Sequence, residues 1–256
     1  MARWDASLMT TALWRSSLAR WGRAVRRAGR AELADLELQR ARAVALRSRL
    51  DDLVAIADER LGLPPVGSNA FPRQPGTDWA WRPELWRRAL PTRGVAGAES
   101  RTPLGPETTI FHDCRTSELS ARQLRNRREA DLAPYGVALD VFGFDGSFLS
   151  LVVELPAEAA TGLTRGHVIR ADMIVEMERP LEIFARLNLR HGPNTEQVVR
   201  ELPAGGAAHV AFDLAYIELN EKRVERLWLD LIFEGPAMNR IVLRDLTLAR
   251  YPRAEL

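Results

Sequence analysis

The chain has 256 residues, 46% of them apolar, a formal charge of +2 and one cysteine, Cys114. That length supports one full core with an appendage or two small domains, and a lone thiol excludes both an internal disulfide framework and any multi-thiolate metal site. The charge is polarised: residues 1–30 carry seven arginines (Arg3, Arg15, Arg20, Arg23, Arg26, Arg27, Arg30) against one acid, Asp5, so this stretch is +6 and the remainder −4.

From the N-terminus, Trp4, Leu8, Trp14, Leu18, Trp21 and Val25 recur at intervals of mostly three and four, with the arginines elsewhere on the wheel. This spacing predicts an amphipathic helix. Its apolar stripe suits three roles: lying on an anionic membrane surface, docking on an acidic partner, or packing within the protein. In the first two, Trp14, Trp21, Arg23, Arg26 and Arg27 would make the contact, because indole rings settle at the headgroup level and guanidinium groups meet phosphate. Nucleic acid is not an expected partner, since the basic charge is confined to one helix and no nucleic-acid motif accompanies it. Lys222 is the only lysine, which with the abundance of Ala reflects GC-rich coding more simply than a special use of guanidinium groups.

Residues 31–61 are rich in strong helix formers and predict a second helix, with Gly29 as the break. The stretch 61–76 is dense in Pro and Gly and reads as a linker. Trp79, Trp81 and Trp86 follow within eight positions and must find cover, so this segment is expected to pack on the body of the protein. Residues 107–114 have the composition of a strand, and 117–132 reads as a short charged helix or an ordered crossover.

From Tyr135 to Arg253 apolar and polar residues alternate in successive runs separated by Gly, Pro and Asn turns. Only a strand with one buried face requires that period. The expected fold is mainly β with an α-helical N-terminal arm, the β part being an antiparallel sandwich of jelly-roll type with roughly eight or nine strands. The expected division is a helical arm over 1–61, a Pro/Gly/Trp-rich linker over 62–106 packing on the sandwich, and the sandwich itself over 107–256.

The closing segment RLWLDLIFEGPAMNRIVLRDLTLARY resembles the last hairpin of jelly-roll carbohydrate-binding modules. The Trp-rich stretch, GPETTIFHDC, EMERPLEIFARLN, HGPNTEQVVRELP and LRDLTLARYPRAEL resemble a family of uncharacterised bacterial proteins, from Asp78 onward. The first resemblance implies a sandwich that binds a glycan; the second implies no activity.

The candidate ligand site follows from the strand period. In HVIRADMIVEME the core set is Ile169, Ala171, Met173, Val175 and Met177, which leaves Arg170, Asp172, Glu176 and Glu178 on the other face. In LEIFARLNLR the core set from Leu181 to Leu189 leaves Glu182, Phe184, Arg186, Asn188 and Arg190 outside. A short turn at Arg179 and Pro180 suggests an antiparallel hairpin, on which Arg170, Asp172, Arg186, Asn188 and Arg190 would share one polar face. Such a face suits sugar hydroxyls, and equally suits a solvated sheet laced with ion pairs. Outward Trp228 is a further candidate, as a stacking platform or as the resting place of the Trp79–Trp86 segment. His191, Asn194 and Glu196 lie in a turn beside it.

In the FHDC run, His112 and Cys114 fall on one side of a strand and Asp113 on the other, so no nucleophile and base assemble there. The histidines His112, His167, His191 and His209 have no metal-ligand spacing. Jelly rolls often hold a structural Ca²⁺ through scattered carboxylates, and the sequence does not select among Asp140, Asp145, Asp230 and Asp245. The reading is therefore a non-catalytic binding or interaction protein, with no catalytic residue and no metal or other cofactor assigned, for a glycan-like or protein ligand. Its alternatives are a membrane-surface adaptor attached through the arm and an enzyme of unknown type. No apolar run approaches the ~18 residues of a spanning helix and no cleavable signal is recognised, so the expected location is cytoplasmic, with any membrane attachment peripheral at the inner membrane surface.

Overall fold

A computed structural model describes residues 3–61, 71–128, 130–203 and 206–253. Two compact units divide the chain, Met1–Val54 and Ala55–Leu256. The first holds helix α1 (Arg3–Ala28) and most of helix α2 (Leu33–Leu61), separated at Gly29 where expected. Of the Pro/Gly-rich stretch, residues 62–70 lie outside the described residues, as do the side chains of Trp4 and Leu8.

The second unit is an antiparallel β-sandwich. Its strands are β1 (Trp79–Trp81), β2 (Gly94–Ala96), β3 (Thr102–Pro103), β4 (Thr108–His112), β5 (Leu119–Arg125), β6 (Tyr135–Val141), β7 (Leu149–Glu154), β8 (His167–Met177), β9 (Ile183–His191), β10 (Asn194–Glu201), β11 (Ala207–Asp213), β12 (Val224–Phe233) and β13 (Asn239–Pro252). One sheet runs β11-β8-β13-β6-β5-β2 with β1 also on β13, and the other runs β10-β9-β12-β7-β4-β3. Between β4 and β13 only β5–β6 and β9–β10 are hairpins; every other connection crosses from sheet to sheet, the jelly-roll arrangement.

The alternating strands behave as their period demands. Ile169, Ala171, Met173 and Val175 of β8, and Ile183, Ala185, Leu187 and Leu189 of β9, are at most 5% exposed and meet between the sheets. The expected β8–β9 hairpin, however, does not form: β8 belongs to one sheet and β9 to the other. A short connection can fold back or cross over, and here Asn239 clamps the crossing. Its side chain accepts from Arg179 N at 3.0 Å and donates to Arg179 O at 2.8 Å, from a buried position. Two further differences from the sequence reading are strands. Residues 119–125 are β5 rather than a short charged helix or a crossover without strand pairing, because Leu119 and Ala121 supply a buried face. The HGPN turn is tighter than expected, with β10 starting at Asn194 directly after Gly192 at φ 59° and Pro193.

The segment read as a linker contributes β1 to β3 and a short helix, α3 (Glu84–Arg87). Trp86 of α3 is fully buried in the core, and its indole N–H donates to Leu243 O at 3.1 Å. Trp79 and Trp81, stacked with centroids 6.4 Å apart, pack against the core from β1. Gln123 secures α3, its amide donating to Leu85 O and Arg88 O and its carbonyl accepting from Leu90 N.

The Trp86 indole meets β13 at an irregularity in that strand. Its pairing with β8 shifts between Leu243 and Asp245, so one extra residue stands in the strand and inverts the faces. Ile241 and Leu243 point inward before the bulge, Leu246 and Leu248 after it, which turns Asp245 and Thr247 outward. Asn126, itself buried, donates to Arg244 O, Ala133 O and Tyr135 O and so pins the bulge to the turn before β6. Gly136 is required opposite: a Cβ there would stand 2.7 Å from Leu243 O and 3.1 Å from Arg244 Cα. Arg82, just after β1, forms a two-pronged pair with Asp245 at 2.9 and 2.8 Å, both side chains under 10% exposed.

Three outcomes follow from this architecture. Residues 71–256 expressed alone should be soluble and unfold in one cooperative transition, since the hydrophobic core between the sheets is drawn from Leu85 onward; an insoluble product would contradict this. Burial pushes the Asp245 carboxyl up against the pull of Arg82. Arg82→Leu, which strands that carboxylate, should therefore cost ~3–5 kcal/mol by denaturant unfolding, and adding Asp245→Leu should recover most of the loss. Glu176 on β8 accepts from Arg128 and Arg244, whose hydrogen bonds hold its carboxyl below the ordinary value of 4.5 despite partial burial. A depressed folded value means that its stabilisation is complete above pH 4.5 and is lost as pH falls through the folded value. Glu176→Gln should accordingly flatten the acid limb of stability against pH, and an unchanged limb would refute the linkage.

Candidate functional site

The expected polar face is divided between the two sides of the sandwich. Arg170 and Asp172 lie on the outer face of the sheet containing β8, whereas Arg186, Asn188, Arg190 and Trp228 lie on the outer face of the opposite sheet. The sequence joined them through a hairpin that the crossing at Arg179 prevents.

On the first face the structure forms a cleft of about 320 Å³. Its floor is laid by β11, β8 and β13, with Asp172 in register with both His209 and Thr247, and Arg170 with both Ala211 and Ala249. Phe71, Pro72 and Gln74 line it further. Arg170 grips Asp172 two residues along the same strand, from Nε at 2.8 Å and from Nη2 at 2.7 Å. That contact raises the guanidinium pKa further. Asp245 also lines the cleft and is already paired with Arg82, whose guanidinium stands 5.0 Å from the Phe71 ring. The charges are thus matched inside the cleft, while His209 is exposed at its edge.

The second face is flatter and its polar groups engage one another. Arg186 donates to Asp230 Oδ2 from Nε at 2.8 Å and from Nη2 at 2.7 Å. Asn188 Nδ2 faces three acceptors, Asp230 Oδ2 at 3.0 Å, Arg186 O at 3.1 Å and Trp228 O at 3.4 Å. That fixes the amide orientation and leaves Asn188 Oδ1 buried without a hydrogen-bond partner among the described residues. Arg190 meets Glu225 at 3.3 Å. Trp228 is half-buried, with the Arg226 guanidinium 5.0 Å from its ring and Arg226 in turn held by Glu154 at 2.7 Å. The Trp79–Trp86 segment joins the other sheet through β1, so it does not rest on Trp228.

At one end of the sandwich His191 is buried, accepts from Asn220 N at 3.3 Å through Nδ1, and has Glu196 3.9 Å from Nε2. Asn194, exposed at the start of β10, lines a surface recess together with His191 and Asn220.

The FHDC run is a clasp. His112 uses both ring nitrogens on backbone, Nε2 on Ala98 O at 2.9 Å and Nδ1 accepting from Cys114 N at 3.2 Å. Burial pushes the Cys114 thiol up, away from the reactive thiolate. Asp113 accepts from Ser147 N, Ser147 Oγ and Phe148 N, and hydrogen bonding by Ser147 first of all holds its carboxyl low. A Cβ at Gly146 would collide with that carboxylate. Among the described residues no three His, Cys, Asp or Glu side chains converge as a metal site; Asp140, Asp230 and Asp245 are each paired with arginine.

Sequence reasoning missed His209, Thr247 and Asp245 as companions of Arg170 and Asp172. One signal for the last two was present: the spacing of three between Leu243 and Leu246 interrupts the period of two and marks the bulge. For His209 there was none, because strand period does not reveal which strands become neighbours.

No curated protein matches the sequence. Among solved structures, the chain is similar to the family 11 carbohydrate-binding module from Clostridium thermocellum in complex with a β-1,3-1,4-mixed-linked tetrasaccharide, with 11% identity, a TM-score of 0.39, and 63% of this chain and 99% of that one covered. It is similar to a family 22 xylan-binding domain at 7% identity and a TM-score of 0.37, covering 72% and 100%. It is also similar to the enzymatically active domain of bacteriophage CBA120 tailspike protein 4, at 8% identity and a TM-score of 0.40; the likeness covers 55% of this chain and 19% of the tailspike chain. The sequence matches the family of unknown function DUF6478 over residues 1–256, and the chain belongs to that family.

Proposed function

We propose that the protein is a non-catalytic binding module that takes a polar, hydroxyl-rich ligand of glycan type in the cleft on the β11-β8-β13 face. The observation that carries this reading is the charge-matched floor of that cleft. Arg170 with Asp172 presents donors and acceptors in a neutral pair, and the Asp245 carboxylate beside them is neutralised from beneath by buried Arg82, which does not itself line the cleft. A phosphate or carboxylate ligand would call for unmatched cations. A sugar hydroxyl both donates and accepts, so it can join such pairs without separating charge. Thr247 and exposed His209 add short-range polar contacts, and Phe71 and Pro72 offer apolar cover to the faces of a ring. The volume of about 320 Å³ lies at the small end of ligand cavities and suits a short segment of chain rather than a polymer surface. The resemblance of the closing strands to carbohydrate-binding jelly rolls agrees with this class. Against catalysis stand the two ring nitrogens of His112, spent on backbone, and the protonated Cys114 thiol.

Calorimetric titration with a panel of neutral and acidic oligosaccharides tests the assignment. Arg170→Ala and His209→Ala should each weaken binding by roughly 10- to 100-fold, the range of a hydrogen bond to a charged or polar group. Ala207→Trp, at the exposed rim, should block the cleft. Arg186→Ala with Arg190→Ala on the opposite face should leave affinity unchanged, because those side chains lie outside the cleft. Arg190→Ala alone, at an exposed pair with Glu225, should move stability by no more than ~1 kcal/mol, whereas Arg186→Ala leaves the buried Asp230 carboxylate unpaired and should cost more, so cooperative unfolding of that variant is confirmed before its affinity is read. Loss of binding in the Arg186/Arg190 variant with retention in Arg170→Ala would transfer the site to the other sheet.

A further inference from the structure

We propose that α1 is an interfacial anchor that lays its apolar stripe on an anionic lipid bilayer. At about 100° per residue, Trp14, Leu18, Trp21 and Val25 fall within an arc of roughly 60°. Arg15, Arg20, Arg23, Arg26 and Arg27 spread over roughly 140° elsewhere on the wheel. The stripe is open: Trp14 is 57% exposed, Leu18 54% and Val25 75%, values far above those of the sandwich core. Trp21 is half-buried, with the Arg20 guanidinium 5.9 Å from its ring.

Charge selects the occupant. The first 30 residues carry +6, with Asp5 the one acid, so the matching surface is densely negative. A leaflet of anionic lipid supplies phosphates to the arginines and an apolar boundary to the indoles in the same few ångströms. Guanidinium forks grip phosphate in two-pronged fashion, which suits an arm built from Arg alone. No described helix is long and apolar enough to cross a bilayer, so α1 lies along the surface, over roughly 39 Å for its 26 residues. The apolar stripe of α1 shares no residue with the cleft.

The test is co-sedimentation of the full chain with vesicles of phosphatidylcholine alone and of phosphatidylcholine mixed with phosphatidylglycerol, at low and high salt. Binding is expected to the mixed vesicles and to weaken with salt. Replacing Arg23, Arg26 and Arg27 with Gln should weaken it roughly 100-fold, at about five-fold for each near-surface arginine. Trp14→Ser with Trp21→Ser should release the chain even at low salt, and Leu18→Ser with Val25→Ser should do the same without removing an aromatic ring. Circular dichroism keeps a loss of helix apart from a loss of contact, because α1 variants with unchanged helicity and thermal unfolding report contact alone. A chain that stays in the supernatant with mixed vesicles overturns the proposal, including when a polyacidic resin retains it, which would point to an acidic protein partner. Binding that survives both apolar variants also overturns it, because adsorption would then rest on charge alone.

Discussion

The extra residue at Arg244 in β13 is the constraint on which the rest of the sandwich depends. It inverts the strand in mid-course, so Leu243 and Leu246 both face the core although three positions separate them. At the distortion the carbonyls of Leu243 and Arg244 accept from side chains, as buried polar groups must find partners. The Trp86 indole and the Asn126 amide supply them. Satisfying the bulge therefore recruits the segment after β1 and the turn before β6, and Gly136 is the residue that lets β6 come close enough. The same inversion turns Asp245 and Thr247 outward beside Arg170 and Asp172, so the fold's main irregularity is also the origin of its cleft.

Most of the β-architecture is legible in the sequence because burial of one face leaves a period of two. The core sets of β8 and β9 were readable residue by residue, and Gly29 marks the end of α1 as its propensity suggests. What period cannot convey is partnership. Alternation assigns the outward residues of β8 and β9 correctly, yet it says nothing of whether five connecting residues fold back or cross; the crossing that forms is clamped by Asn239, some sixty positions away. The candidate site was therefore half legible: Arg170 and Asp172 were named, but their neighbours His209 and Thr247 come from strands whose adjacency is a long-range property. β5 was missed for another reason, since a run rich in Arg and Gln with only two deeply buried apolar residues resembles a charged helix.

The two outer faces of the sandwich contrast in shape more than in composition. Both carry arginines paired to carboxylates, so charge count alone does not separate a binding face from a solvated one. On the β9-β12 side the pairs close upon one another, with Asp230 taking hydrogen bonds from Arg186 and Asn188 and Trp228 lying against Arg226. On the β8-β13 side the segment around Phe71 rises beside the pairs and makes a concavity, where a ligand can exchange water for protein on several sides at once. The functional assignment follows that concavity.

The most direct measurement is amide chemical-shift mapping of the isotope-labelled protein by nuclear magnetic resonance during titration with short oligosaccharides. Ligand in the cleft should perturb Arg170, Asp172, His209, Thr247 and the chain near Gln74, with residues 186–190 and Trp228 undisturbed. Perturbations centred on Trp228 and Arg186, or none with any oligosaccharide of the panel, would contradict it.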